Sequence, residues 1–191
     1  MMQLQRSNAG SDNEVVKQTY ETARDCLKTN YYGVKQLTEA LIPLLQKSNS
    51  ATIVNVSSSV GKLRFGIPNE KAKRVLGDTD SLREEEVDNL VEEFMEDVKQ
   101  SLVEAKVWPA KLSAYIVSKA ALNAYTRALA KTYPDIAINA VSPSFTRTDI
   151  NENTGMLTVE EGAKGPVELA WLPDSRVSGL YFEQTELSTF D

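Results

Sequence analysis

Tyr115 and Lys119 are the side chains in this sequence best suited to moving a proton. Their spacing of four residues puts a phenol and an ammonium one turn apart on the same face of a helix. A short apolar stretch, Thr52–Val56, lies upstream and is followed by three consecutive serines, residues 57–59. A serine, a tyrosine and a lysine in this order suit proton transfer during the reduction of a carbonyl or the oxidation of an alcohol.

Spacing alone does not identify this pair, because Tyr31 and Lys35 have the same spacing. The sequence around Tyr115 favours a functional role more strongly than the sequence around Tyr31 does. Ser118 precedes its lysine, small residues follow, and a strand that ends in serines lies upstream. No strand before Tyr31 could deliver a serine. We therefore predict that Tyr115 and Lys119 form the functional pair.

Composition excludes several classes of function. The chain has 191 residues and no histidine, which removes Ser–His–Asp hydrolysis and Cys–His proteolysis. One cysteine, Cys26, cannot replace the missing imidazoles as ligands of zinc, so we expect no metal site. A net charge of −6 argues against nucleic acid as the main partner, and against an anionic membrane surface.

The location expected for the chain is the cytoplasm. No apolar stretch approaches the roughly 18 to 20 residues needed to cross a bilayer. The first residues lack the hydrophobic core of a signal peptide. A single cysteine fits a reducing compartment.

Helical and strand patterns alternate along the chain. The helices are predicted over 15–47, with a capping box at Ser11 and Glu14, and over 87–102, 112–133 and 159–172. The strands are predicted at 52–56, 136–141 and 179–183. This order indicates a single α/β domain over 1–191, with a parallel sheet and flanking helices. Ligands bind at the carboxyl ends of such strands, where residues 57–59 and 143–148 fall.

A charged helical insertion at about 62–107 interrupts this pattern. It is interpreted either as a solvated amphipathic helix or as a helix that also covers the active site or an interface. Trp108, Phe94 and Met95 belong to its surroundings. Each of these three side chains could equally pack in the core or line a pocket for a bulky apolar ketone.

Together these motifs resemble the short-chain dehydrogenase/reductase family, over roughly residues 8–191. The details are similar to its plant carbonyl-reductase branch, which includes salutaridine reductase, menthone reductases and neomenthol dehydrogenases. The segments that carry the resemblance are Thr29-Asn30-Tyr31-Tyr32-Gly33-Val34-Lys35, Val54-Asn55-Val56-Ser57-Ser58, Trp108-Pro109, Tyr115 with Ser118-Lys119, Asn139-Ala140-Val141-Ser142-Pro143, Thr158-Val159-Glu160-Glu161-Gly162-Ala163 and Glu186-Leu187-Ser188-Thr189-Phe190. The resemblance implies a Rossmann-like fold.

The resemblance also implies roles for four catalytic residues. Tyr115 would give its proton to the carbonyl oxygen, and the charge of Lys119 would make that proton easier to release. Ser58, the second of the three serines, would hydrogen-bond the substrate oxygen. Asn30 would hold a water that relays protons to Lys119.

The cofactor implied is NADP(H), with Lys119 on the nicotinamide ribose and Tyr115 beside it. Pro143, Thr146 and Thr148 belong to a segment that contacts the nicotinamide carboxamide in the family. There Ser144 stands in place of the usual glycine, and Thr146 in place of a valine. Asn8 begins Asn8-Ala9-Gly10, which is similar to the end of the family's Asn-Asn-Ala-Gly motif.

The family's glycine-rich cofactor loop has no counterpart in this sequence. By the resemblance, three strands, their helices and most of a fourth strand are absent. The strand at 52–56 is then expected to be an exposed parallel edge and an aggregation site.

The leading functional hypothesis is a truncated NADP-dependent carbonyl reductase or alcohol dehydrogenase. It would act on a small ketone or secondary alcohol, by the resemblance a terpenoid or an alkaloid, and as a monomer rather than a tetramer. One alternative is a catalytically inactive fragment that acts as an interaction partner. Another is a sugar-nucleotide epimerase, which shares the Tyr/Lys spacing.

Overall fold

The computed structural model describes residues 18–171 and 177–191. The capping box predicted at Ser11 lies outside these residues, and so does Asn8. The helices are α1 Tyr20–Leu27, α2 Gly33–Leu45, α3 Leu63–Gly66, α4 Glu70–Gly77, α5 Glu84–Lys99, α6 Ser113–Thr132 and α7 Val159–Ala170. The strands are β1 Thr52–Val56, β2 Ala137–Ser142, β3 Tyr181–Glu183 and β4 Glu186–Ser188. A π-helical turn at Lys28–Tyr32 joins α1 to α2.

Four strands form one sheet in the order β1-β2-β3-β4. The pairs β1/β2 and β2/β3 are parallel, which confirms the expected α/β sheet with helices around it. β4 pairs antiparallel with β3, and sequence reasoning missed it. The hairpin turns at Gln184, which adopts a positive φ of 55°.

Among residues 18–171 and 177–191, β1 pairs only with β2 and so lies at one edge of the sheet, as expected from the sequence. The carbonyl of Ala51 accepts a hydrogen bond from the amide of Ala137 at 3.0 Å, and the amide of Ser57 donates to the carbonyl of Val141 at 2.7 Å. Backbone groups alternate in direction along a strand, so residues 51, 53, 55 and 57 face β2. The backbone groups of Thr52, Val54 and Val56 therefore point away from β2.

The helix predicted over 15–47 is interrupted at the turn that carries Asn30. The five-residue π turn breaks the regular α-helical pattern between α1 and α2, and such turns often mark functional positions. Before it, α1 begins at Tyr20, and the side chain of Thr19 caps the amide of Thr22.

The insertion between β1 and α6 forms α3, α4 and α5. The apolar stripe of α5 is buried, and α5 packs against α1 and α6. Phe94 is 0% exposed and meets Trp108 edge to face, with ring centroids 5.1 Å apart. The indole nitrogen of Trp108 donates to Asp97 at 2.8 Å. Both aromatic residues therefore belong to the core, which decides between the two uses predicted for them.

Candidate functional site

Tyr115 and Lys119 lie in the first two turns of α6, and both are half-buried. The Lys119 ammonium stands 5.8 Å from the centre of the Tyr115 ring. Helix α6 can approach the sheet closely because most of its inward residues are small, as at Ala120 and Ala121. The pair that the sequence context favours is thus held beside the sheet on a buried helix.

The side chain of Lys119 extends to β1, at the edge of the sheet. Its Nζ donates a hydrogen bond to the carbonyl oxygen of Val56 at 2.9 Å. Burial lowers the pKa of Lys119 from its ordinary value near 10.5, with a small opposing effect from Cys26. A lysine with a lowered pKa gives up a proton more readily, which suits a proton relay.

The side chain of Asn30 is held by two partners. Its Nδ2 donates to Ser118 Oγ at 3.2 Å and approaches Cys26 Sγ at 3.5 Å. Ser118 is fully buried, and its hydroxyl donates to the carbonyl of Tyr115 at 2.7 Å. The π turn that carries Asn30 is therefore tied to α6 between the two residues of the functional pair.

The three serines after β1 have separate structural roles. Ser57 is buried, and its hydroxyl lies 3.5 Å from the carbonyl of Lys119. Ser58 is half-buried, and its Oγ accepts the amide of Val60 at 3.5 Å, at the start of a 3₁₀ turn over Ser59–Gly61. That contact leaves the hydroxyl hydrogen of Ser58 available for another acceptor.

Gly61 brings this turn against α6. A Cβ at Gly61 would lie 2.7 Å from the backbone carbon of Lys119, which is closer than real side chains approach. The Asn123 side chain fixes the contact by donating to the Gly61 carbonyl at 3.2 Å. The serine turn and the lysine are therefore in direct backbone contact.

The segment after β2 is an ordered loop at the carboxyl end of the sheet. Ser144 has a φ of 66°, the left-handed conformation that favours glycine. The Thr146 hydroxyl donates to the carbonyl of Pro143 at 3.3 Å, and the amide of Thr148 donates to the side chain of Asn151 at 3.1 Å. Ser144, where the resemblance implies a glycine, therefore adopts a conformation that a glycine would adopt more easily.

The second Tyr/Lys pair makes different contacts. Tyr31 is fully buried, and its hydroxyl donates to Asp88 at 2.8 Å. Lys35 pairs with the same carboxylate at 2.5 Å. Burial is the main cause that raises the pKa of Tyr31 far above its ordinary value, and its hydrogen bond to Asp88 adds to the effect. Tyr31 and Lys35 therefore attach α2 to the insertion.

Sequence reasoning missed three groups at the site. They are the hydroxyl of Ser118 as a partner of Asn30, the thiol of Cys26 and the carbonyl of Val56. Ser118 was noted only as a neighbour of Lys119. Its spacing of three from Tyr115 is the signal that places both near one side of α6. A backbone carbonyl such as that of Val56 leaves no signal in a sequence.

Comparison with known proteins places the chain among reductases and dehydrogenases of known sequence and structure. The family model described as short chain dehydrogenase matches residues 6–72, and the model described as Enoyl-(Acyl carrier protein) reductase matches residues 98–167. The solved structure of salutaridine reductase from Papaver somniferum superimposes with a TM-score of 0.83 at 49% identity, over 87% of this chain and 56% of that one.

Two named relatives are similar in sequence. (−)-Isopiperitenone reductase of Mentha piperita is 55% identical over 163 residues, which cover 85% of this chain and 52% of the relative. Carbonyl reductase [NADPH] 3 of Rattus norvegicus is 36% identical over 154 residues, which cover 77% of this chain and 53% of the relative. The chain thus spans little more than half the length of these proteins.

Within the described residues, no helix has both the length and the apolar character that crossing a bilayer requires. The sequence and the α/β sheet both agree with these comparisons. The chain belongs to the short-chain dehydrogenase/reductase family and, within it, to the plant branch that includes salutaridine reductase.

Proposed function

We propose that the chain carries the reductase centre of an oxidoreductase that interconverts a ketone and a secondary alcohol with NADP(H). The observation that carries the proposal is the grouping of Asn30, Ser118, Tyr115 and Lys119 beside the carboxyl end of β1. The names of the similar proteins, which are reductases, support it.

The residues present fit the nicotinamide end of such a cofactor. Lys119 has three N–H donors, and the one contact to Val56 leaves two for ribose hydroxyls. Ser144, in the loop that follows β2, has the left-handed backbone conformation that favours glycine. The described residues contain no glycine-rich loop for the phosphates. When bound, a nicotinamide nucleotide supplies or accepts the hydride.

The protein's own residues handle the proton. In reduction, Tyr115 donates its phenolic proton to the carbonyl oxygen, and the nearby charge of Lys119 stabilises the phenolate that forms. The Ser58 hydroxyl donates to the same oxygen and stabilises its developing charge. Lys119 then returns a proton to Tyr115, and the Asn30 turn holds the water that supplies it.

The proposed substrate is a bulky apolar ketone or alcohol of the terpenoid or alkaloid kind. Large apolar side chains that remain exposed in the segment after β2 support this class, namely Phe145, Ile150 and Met156. They follow the strand end where ligands bind in α/β sheets. Phe94 and Trp108, which are core residues, do not contribute to such a pocket.

We also propose a cytoplasmic monomer. Cys26 is a free, buried thiol, which suits a reducing compartment. The insertion covers a face of α1 and α6 that would otherwise be free to pack against another subunit. A stable tetramer in a sedimentation experiment on the purified chain would contradict the proposal that it is a monomer.

The test is a titration of NADPH into the folded chain, followed by nucleotide fluorescence. We expect saturable binding that is lost in Lys119→Met and retained in Lys35→Met, its matched control in the other Tyr/Lys pair. Absence of binding by a chain with native circular dichroism would favour the inactive fragment instead.

A further inference from the structure

Cys26 is a buried thiol that the proposed mechanism does not use. It lies on α1, four residues before Asn30, and is 8% exposed. Its Sγ accepts a hydrogen bond from Asn30 Nδ2 at 3.5 Å and donates one to Ser118 Oγ at 3.9 Å. Burial is the main cause that raises the pKa of Cys26 above its ordinary value, so the thiol keeps the proton that it donates.

The thiol completes a closed hydrogen-bond network with Asn30 and Ser118. The two N–H groups of the Asn30 amide have two acceptors, Cys26 Sγ and Ser118 Oγ. The Ser118 hydroxyl has a single hydrogen, which goes to the carbonyl of Tyr115. Ser118 can therefore only accept from Asn30, and this fixes which side of the amide faces the network. Every donor of the three side chains is satisfied.

This orientation leaves the oxygen of the Asn30 amide available. Within residues 18–171 and 177–191, Oδ1 has no hydrogen-bond partner, and Asn30 is half-buried. Asn30 and Lys119 both line a cavity of about 440 Å³ between α2 and β1, which has room for water. Oδ1 is thus an acceptor for a water molecule between Asn30 and Lys119.

We propose that Cys26 is a positioning residue of the reductase centre, because its thiol holds the Asn30 amide with the oxygen towards the relay water near Lys119. The link to the reaction rests on the proposed function, whereas the orientation of Asn30 is testable without any turnover. A thiol suits this position because it accepts from the amide and donates to Ser118 at once. Alanine at position 26 does neither, and a serine hydroxyl does both.

Hydrogen exchange of the Gly33 amide, measured by NMR, tests the orientation. This amide closes the π turn around Asn30 by donating to the carbonyl of Lys28. We expect it to exchange about tenfold faster in Cys26→Ala, since Asn30 loses one of its two partners. The Ala140 amide, in β2, is the control within the same molecule. A purely global loss of stability would accelerate both amides equally and would contradict the proposal.

Cys26→Ser separates a hydrogen-bonding role from packing. A positioning role predicts that Gly33 exchanges close to the wild-type rate, because the hydroxyl replaces the thiol. A packing role predicts the opposite order of the two variants, since a buried hydroxyl costs more than a buried methyl group. Exchange as fast in Cys26→Ser as in Cys26→Ala would overturn the proposal, and so would a wild-type rate in Cys26→Ala.

Reduction of camphor, a bulky apolar ketone, by NADPH tests the link to the reaction. The relay acts after the nucleotide has bound, so Cys26→Ala should lower kcat about tenfold and change the Kd of NADPH by less than about twofold. Cys26→Ser should recover most of the loss. Weaker NADPH binding with an unchanged kcat would refute the link. No reduction by the wild-type chain would refute the proposed function for this ketone, and the exchange experiment would still decide whether Cys26 orients Asn30.

Discussion

At the scale of single residues, environment separates two identical motifs. Tyr31 and Tyr115 each precede a lysine by four positions, yet only Tyr115 keeps its hydroxyl outside a carboxylate contact. The Asp88 carboxylate holds the Tyr31 proton, and burial makes its loss harder still. A phenol in that setting is a structural donor and a poor acid.

Tyr115→Phe should abolish ketone reduction by the nucleotide-bound chain, because the proton donor is removed. Tyr31→Phe should leave turnover largely intact and lower the free energy of unfolding by about 1.5–3 kcal/mol, since it removes a hydrogen bond to a charged group. Turnover assays and urea unfolding measure the two effects. An equal loss of turnover in both variants would refute the assignment.

Ser144 offers a second prediction, because its left-handed φ strains a residue with a Cβ. Ser144→Gly should stabilise the chain by about 1 kcal/mol. Ser144→Ala is the control, and it should be close to neutral because it keeps the Cβ. Urea midpoints compare the three proteins, and equal stability of Ser144→Gly and the wild type would show that the turn is unstrained.

At the scale of elements, the contact between the 3₁₀ turn and α6 sets the spacing of the site. Gly61→Ala should cost about 1–3 kcal/mol, because its Cβ would overlap the Lys119 backbone. Gly77→Ala is the matched control. Its Cβ would meet only the end of the Leu63 side chain at 3.3 Å, and its effect should stay within about 0.5 kcal/mol. Thermal unfolding of both variants tests the difference.

The sequence predicted the elements that carry strong periodicity and missed those set by pairing. Helix α6 and strands β1 and β2 lie within a residue of their predicted bounds, since long amphipathic or β-branched runs determine them. β4 has three residues and forms only because β3 lies beside it. The same holds for the candidate site: residue motifs can be predicted from a sequence, whereas the backbone carbonyl that accepts from Lys119 cannot.

At the scale of the whole molecule, buried phenols make the fold sensitive to alkali. Burial raises the pKa of Tyr181 to about 12, and raises those of Tyr31 and Tyr125 further. In the unfolded chain these groups ionise near pH 10. Their stabilisation is therefore complete below that pH and is lost progressively above it.

We expect the free energy of unfolding to fall above pH 10, and these three phenols to ionise only as the fold is lost. Absorbance at 295 nm, recorded together with circular dichroism, measures both transitions. Tyr125→Phe should remove one of the late-ionising groups. Ionisation of all seven tyrosines ahead of unfolding would contradict the predicted burial.

The pairing of β1 with β2 also has a consequence for the order of folding. Thr52 pairs with Ala137, so the strand that leads into the serine turn finds its partner only after the insertion and α6 have been synthesised. Contacts of such long sequence separation form slowly, since a large loop must close first. On the ribosome, β1 stays without β2 until the insertion and α6 have been added. During that interval an apolar strand is exposed to chaperones and to other nascent chains.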